Sequence, residues 1–400
     1  MVKNLFSVER GYPHGELPAV GVLLVQLGTP AAPTAKAVRP YLKQFLSDPR
    51  VIELSRPFWW LILNLFVLPL RPRASARLYA NIWTDEGSPL LVLSRRLTEA
   101  VDRQLRQELG TPVHTVLGMT YGEPSIPSAL AELRNRGCRR ILIFPLFSHY
   151  SSSSTGAAFD AVMKELMTWR WVPEVRTIHQ YYDHPALISA LAATIRELWS
   201  REGQPELLVT SYHGIPKRYF LNGDPYHCQC HKTSRLLAEE LSLPENRYLV
   251  TFQSLFGREE WLQPYTDETL RALPRSGIKN VDVVCPGFSV DCLETLDEIG
   301  RENRHFFLEA GGERYRFIPC LNDRAEHVDL LTALIRDHLC GWVETQQEWD
   351  PGRAAQAAAE TQARAEAMKA KAVRPDAGIG RSTWDRNRRH RKIDRPPPHA

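Results

Sequence analysis

Short apolar runs alternate with amphipathic stretches along most of the chain. Residues 19–27 (AVGVLLVQL) are rich in leucine and valine without interruption, the pattern of a strand buried on both faces. Further strands are predicted at 113–119 and 140–147, a short one at 175–178, and others at 207–212, 247–252, 280–285 and 314–318. Between them, 34–47, 124–136, 157–169 and 185–199 predict helices in the first half. In the second half 233–241, 267–273, 293–306 and 325–339 do so. A turn at 85–90 leads into one more helix. Each half is thus four strand–helix units, and such alternation predicts parallel sheets with right-handed crossovers.

The fold class is α/β: two similar Rossmann-like domains, each a parallel four-stranded sheet flanked by helices, with a cleft between them. The predicted organisation is an extension over 1–17, an N-terminal domain over 18–203, a C-terminal domain over 204–345 and a basic, largely disordered tail over 346–400. An alanine-rich stretch at 354–372 has helical composition but no apolar face to bury. The turn after the first strand, Gly28-Thr29-Pro30, lacks the three glycines of a dinucleotide site.

One apolar run breaks the rhythm. Residues 58–70 are too short to span a bilayer, which takes about 20 residues, and Asn64 and Pro69 interrupt them. Two readings stay open, a buried core helix or an interfacial, pocket-lining segment. Adjacent Trp59 and Trp60, bracketed by Arg56, Arg71, Arg73 and Arg77, suit a surface that dips into lipid headgroups.

Composition changes the picture only in its distribution. The chain has 400 residues, 43% hydrophobic and 24% charged, ordinary for a globular protein. From 351 to 400 there are 12 Lys and Arg against 5 Asp and Glu, so the rest of a chain of net charge +4 carries −3. A mildly acidic body with a basic tail argues against a nucleic-acid-binding core. Seven scattered cysteines do not form a disulfide framework, and the N-terminus shows no apolar signal region. The expected location is the cytoplasm, peripheral to the inner face of the membrane where the apolar run makes contact.

The chemistry gathers at strand ends. Residues 207–212 run directly into His213-Gly214-Ile215-Pro216, and ligands in open α/β sheets bind outside the carboxyl ends of strands. A histidine there is held rigidly and reaches into the crevice. A second strand end opens Cys285-Pro286-Gly287-Phe288, followed by Asp291, Glu294 and Glu298, the two glutamates one turn apart on a helix. Taken alone, the acidic residues complement a helix N-terminus.

Taken together, the motifs resemble the ferrochelatases. Ser-x-His-Gly-Ile-Pro at 211–216 with Gly-Asp-Pro-Tyr at 223–226 is similar to that family's signature. So are VLLVQLGTP at 22–30, Gly-Ser-Pro at 87–89, PGFxxDxLETL at 286–296 and the loop holding Gln253, Ser254, Trp261 and Pro264. The resemblance leaves out the first dozen residues and the tail. It implies an enzyme, a metal chelatase (lyase) of haem biosynthesis, that inserts Fe²⁺ into protoporphyrin IX to form protohaem with release of two protons. No cofactor is required, and iron is a substrate. Residues 56–73 then form an apolar lip over the porphyrin.

The reaction explains the residue types. The ring's pyrrole protons must leave before iron seats, and a neutral imidazole near pH 7 is a natural acceptor and iron ligand. His213 and Glu294 are the expected catalytic and iron-binding pair, and the resemblance leaves open whether His213 takes protons, ligates iron or does both. Leu27, Tyr121, Tyr150, Trp261 and Phe288 are expected to bind substrate, and Asp291 and Glu298 to pass iron or protons. Where some relatives carry a histidine, this chain has Cys292. Leu27 stands where coproporphyrin-type relatives carry tyrosine, which favours protoporphyrin over coproporphyrin III. The segment His227-Cys228-Gln229-Cys230-His231 leaves three readings: a [2Fe–2S] cluster on Cys228 and Cys230 with Cys320 or Cys138 as candidate partners, a pair of free thiols, or a weak adventitious metal site. Competing functions are another tetrapyrrole chelatase, a non-catalytic porphyrin carrier and a two-domain sugar-nucleotide transferase.

Overall fold

The computed structural model describes residues 6–7, 14–17, 19–257 and 259–373. Eight strands form: β1 (Ala19–Gly28), β2 (Val113–Tyr121), β3 (Cys138–Pro145), β4 (Glu174–Thr177), β5 (Leu207–His213), β6 (Tyr248–Gln253), β7 (Asn280–Val284) and β8 (Arg314–Ile318). They make two parallel sheets, ordered β2-β1-β3-β4 and β6-β5-β7-β8. The order is the same in both. In each, the chain turns one way from the central strand and then crosses to its other side. That reversal makes a crevice at the carboxyl ends of β1 and β3, and of β5 and β7.

Both sheets lie in one compact unit that ends at Trp349. One apolar cluster contains Val22, Leu24 and Phe144 of the first sheet together with Leu208, Val284 and Ile318 of the second. The helices Pro89–Glu108, Pro185–Glu202 and Ala325–His338 contribute Leu97, Leu191 and Leu331 to that cluster. The two sheets therefore share a core.

Several elements depart from the pattern. The helix expected at 233–241 begins at Tyr226 and runs to Glu240. Its first turns carry His, Cys and Gln with no apolar period, and Asp224 caps them by accepting from the Tyr226 N–H at 3.0 Å. The acidic segment Glu294–Asn303 is a π-helix that continues as the α-helix Arg304–Glu309. The apolar run does not stop at Asn64 or Pro69. Arg56–Ile62, a π-turn Leu63–Val67 and Leu68–Ile82 follow one another as helix, with the Asn64 side chain bonding back to the Trp60 carbonyl at 2.8 Å.

The second unit holds the helix Pro351–Val373. A largely disordered tail was expected from its lack of a buried face. Alanine's propensity, with i,i+4 pairs such as Glu360–Arg364 and Gln362–Glu366, favours helix here. The rest of the predicted tail, 374–400, and most of the extension over 1–17 lie outside the described residues.

Candidate active site

His213 is the last residue of β5, half-buried, with one ring nitrogen on the Gly214 carbonyl at 2.7 Å. Its ring faces Trp261 at 6.3 Å between centroids. Gly214 is required by close approach: a Cβ there would meet the Gln253 carbonyl at 2.9 Å and the Trp261 ring at 3.1 Å. A larger residue would push both away from the histidine.

The next strand supplies the link to the acidic helix. Gln253 ends β6 directly beside His213 in register and is buried. Its side-chain Oε1 accepts from the Ser211 hydroxyl at 2.7 Å. Its amide donates to the Glu294 carbonyl at 2.8 Å and to Glu298 Oε2 at 3.3 Å. Ser254 follows with φ +65, a left-handed conformation that is uncommon outside glycine. In it, both its N–H (2.7 Å) and its hydroxyl (2.5 Å) donate to Glu298. Burial pushes the Glu298 carboxyl above its usual range. The Ser254 bonds and the nearby His213 pull it back, and Glu294 pushes it up again. His213, Glu294 and Glu298 thus share one electrostatic environment at the switch point of the second sheet.

The first half closes that environment from the apolar side. Leu27 sits half-buried at the end of β1, before Gly28, whose φ of +119 leaves no room for a Cβ against the Tyr121 carbonyl at 1.7 Å. Tyr41 donates to the Gly28 carbonyl at 3.2 Å. Burial, with the Glu294 charge close by, raises the Tyr41 and Tyr79 phenols, so both stay protonated. These two tyrosines come from separate helices, and no motif marks them.

The other expected residues divide. Phe288 is half-buried where the shared core meets the second sheet's own cluster. Tyr121 is buried, its hydroxyl donating to Asp48 at 2.9 Å. Tyr150 stacks on His179 at 4.3 Å and lines a cavity of about 210 Å³ with Glu53, Ser152, Tyr219 and Asp224. Asp291 is buried and accepts from Thr295, from the Cys320 N–H and from Asn322 Nδ2 at 2.9, 3.3 and 2.7 Å, so it already holds three partners. Asp224 of the Gly-Asp-Pro-Tyr turn takes the Ser151 hydroxyl at 3.0 Å and the Ser152 N–H at 2.8 Å, tying the second half to the serine-rich helix start of the first.

The cluster reading fails on geometry. Cys138 belongs to the outer core of the first sheet, Cys320 to that of the second and Cys230 to a third apolar cluster, while Cys228 is exposed. Four thiolates must meet on one cluster. Burial instead holds the Cys138, Cys230 and Cys320 thiols protonated, Cys138 pushed up to about 12. Among the described residues no group of three or more His, Cys, Asp or Glu is arranged to hold a metal.

The segment 56–82 presents apolar side chains outward. Trp60, Leu65 and Leu70 are 61%, 61% and 71% exposed, with Phe58, Leu61 and Phe66 beside them, whereas Trp59 and Leu63 face inward. The buried-core reading therefore holds only for the inner stripe. No helix among the described residues is long and apolar enough to cross a membrane.

The ferrochelatase family model matches residues 19–339. A ferrochelatase of Nitrosococcus oceani is 54% identical over 360 residues, covering 90% of this chain and 98% of that one. One of Thioalkalivibrio sulfidiphilus is 50% identical over 92% and 99%, and one of Marinobacter nauticus 53% over 83% and 90%. SirB from Bacillus subtilis superposes with a TM-score of 0.49 at 13% identity, over 84% of this chain and all of that one, a distant likeness. Matched from the first strand through the last helix of the second sheet, this chain belongs to the ferrochelatase family, metal chelatases that insert ferrous iron into a porphyrin in haem synthesis.

Proposed function

We propose that the porphyrin is protoporphyrin IX and that His213, Glu294 and Glu298 carry the insertion. The observation that carries this reading is the Gln253–Ser254 bridge, which fixes a carboxyl of raised pKa close to His213, half-buried at the end of β5. One nitrogen of His213 is held on the Gly214 carbonyl; the other takes the pyrrole protons one at a time and passes them on, and is open to iron only after they have left. Glu298 receives protons readily because its burial already favours the protonated form, and Glu294 beside it balances the charge of the incoming ion. Trp261 and Phe288 wall the ring, with Leu27 on the opposite side.

Protoporphyrin carries half as many carboxylates as coproporphyrin. An apolar Leu27 and an apolar lip suit the less charged ring. The outward-facing stripe of Phe58, Trp60, Leu65, Phe66 and Leu70, with arginines at its flanks, supports peripheral contact with the cytoplasmic face of a membrane, from which an apolar substrate enters.

The test is an anaerobic assay of the full chain with Fe²⁺ and either porphyrin, following haem formation, with porphyrin binding measured by fluorescence quenching. Protohaem formation that falls at least ~10²-fold in His213→Ala, with porphyrin binding kept, is expected. Turnover with coproporphyrin III alone would overturn the substrate assignment. Full activity of His213→Ala would overturn the role of the histidine.

A further inference from the structure

The segment His227-Cys228-Gln229-Cys230-His231 is not a loop. It forms the first turns of the helix Tyr226–Glu240, which places His227 and His231 four residues apart on one face. Their ring centroids are 4.5 Å apart at 48°. Both rings pack on Phe252, at 5.8 and 6.2 Å, and His227 also packs on Phe220 at 4.8 Å. These aromatic contacts fix where the imidazoles point. Neither ring makes a hydrogen bond among the described residues. His227 is half-buried and His231 exposed.

We propose that His227 and His231 form a second metal site, a bidentate imidazole chelate for a divalent first-row transition ion. Two histidines at this spacing present their nitrogens to one ion, and imidazole suits Zn²⁺, Ni²⁺, Cu²⁺ and Fe²⁺ over Mg²⁺ or Ca²⁺. Water completes the coordination. Burial, and for His231 the neighbouring His227, lowers both pKa values, so the rings are neutral and ready to ligate at pH 7.

The site is separate from the insertion centre. Successive residues of a strand point to opposite faces of its sheet. On β6, Phe252 carries the two histidines on one face, and Gln253 reaches Glu294 and Glu298 on the other. An ion held here would sit on the helix whose inner face bonds to the Tyr150 backbone and His149 through Gln229 and Thr233.

Titration of the full-length protein with Ni²⁺, without porphyrin, tests the assignment by calorimetry. Wild type is expected to take up one more ion than His231→Gln at micromolar concentration, or to hold it at least tenfold more tightly. His227→Gln should match His231→Gln, and His213→Ala should keep the ion. Because His231 is exposed, its variant folds, and an unchanged melting temperature checks this. With Cu²⁺, the electron paramagnetic resonance spectrum should show two imidazole nitrogens in wild type and one in His231→Gln. Equal Ni²⁺ binding by wild type and His231→Gln overturns the proposal. So does loss of the ion in His213→Ala, which would place it at the insertion centre.

Discussion

The ends of β1 and β5 occupy the same place in two sheets of the same strand order, and they carry opposite chemistry. The first sheet ends in Leu27 and Gly28, with the Tyr121 hydroxyl already spent on Asp48. The second ends in His213, with Gln253 and the acidic helix beside it. The histidine that follows β3 shows the same contrast. His149 is buried, its ring held by the Ser148 and Thr233 hydroxyls at 2.9 and 2.8 Å, and burial pushes its pKa down to about 3. It is a neutral structural link between halves. His213, half-buried and bonded at one nitrogen, keeps a nitrogen for chemistry. A repeated topology supplies two crevices. Among the described residues, only the second ends in a half-buried histidine with a nitrogen that the fold does not use.

The contrast extends to the outer strands, where it gives the largest expected effect. Arg316 on β8 pairs with buried Asp282 on β7 at 2.7 Å, and Asp282 also accepts from Trp199. At the equivalent register Arg176 on β4 lies beside Leu142 of β3 and bonds only carbonyls, those of His338 and Cys340, while stacking on Trp342. Arg316→Ala leaves a buried carboxylate without its cation and should cost about 3–5 kcal/mol in denaturant unfolding. Arg176→Ala should cost about 1–2 kcal/mol, the loss of neutral-acceptor bonds and packing. Equal losses would break the comparison.

Activity should divide the halves next. Glu298→Gln is expected to lower insertion about 10²-fold, whereas Tyr121→Phe should cost stability of about 1 kcal/mol and leave the rate within a few-fold. Steady-state haem formation beside thermal melts separates the two outcomes.

The pH dependence of stability should have opposite signs at two positions. His149 has a folded pKa below that of the unfolded chain, so its stability is present above about 6.5 and is lost as pH falls toward about 3. Glu298 has a folded pKa above its ordinary 4.5, so its contribution is most favourable below that value and is lost as pH rises through the folded pKa. Melting temperatures of wild type, His149→Asn and Glu298→Gln across pH 4–8 measure both slopes. His149→Asn should flatten the acid limb, and Glu298→Gln should gain on wild type as pH rises. The smallest effect is at the lip. Trp60→Ser, at an exposed position, should change stability by about 0.5 kcal/mol or less while weakening binding to anionic vesicles.

Much of this was legible without coordinates. All eight strands fell within a residue or two of the predicted runs; for the central strands this is because a strand buried on both faces needs near-continuous apolar sequence, whereas the edge strands β4 and β8 are only partly buried. His213 and the glutamates stood out because they follow such runs. The start of the helix at Tyr226 was not legible, since its exposed face carries no apolar period and its cap is a carboxylate two residues upstream. The lip was ambiguous because an apolar run looks alike whether it faces a core or solvent.

The sequence by itself determined two parallel α/β sheets, the strand ends that bear chemistry and, through its motifs, the family. Local pattern is sufficient for these because strand and helix periods are written in neighbouring residues. Tertiary structure decided which polar groups are spent. It gave Asp291 and Glu298 three donors each, sealed His149, separated the four cysteines and left one nitrogen of His213 without a partner among the described residues, close to Glu298. Each of those outcomes depends on partners distant in the chain, and desolvation is a property of the packed neighbourhood that no local pattern records.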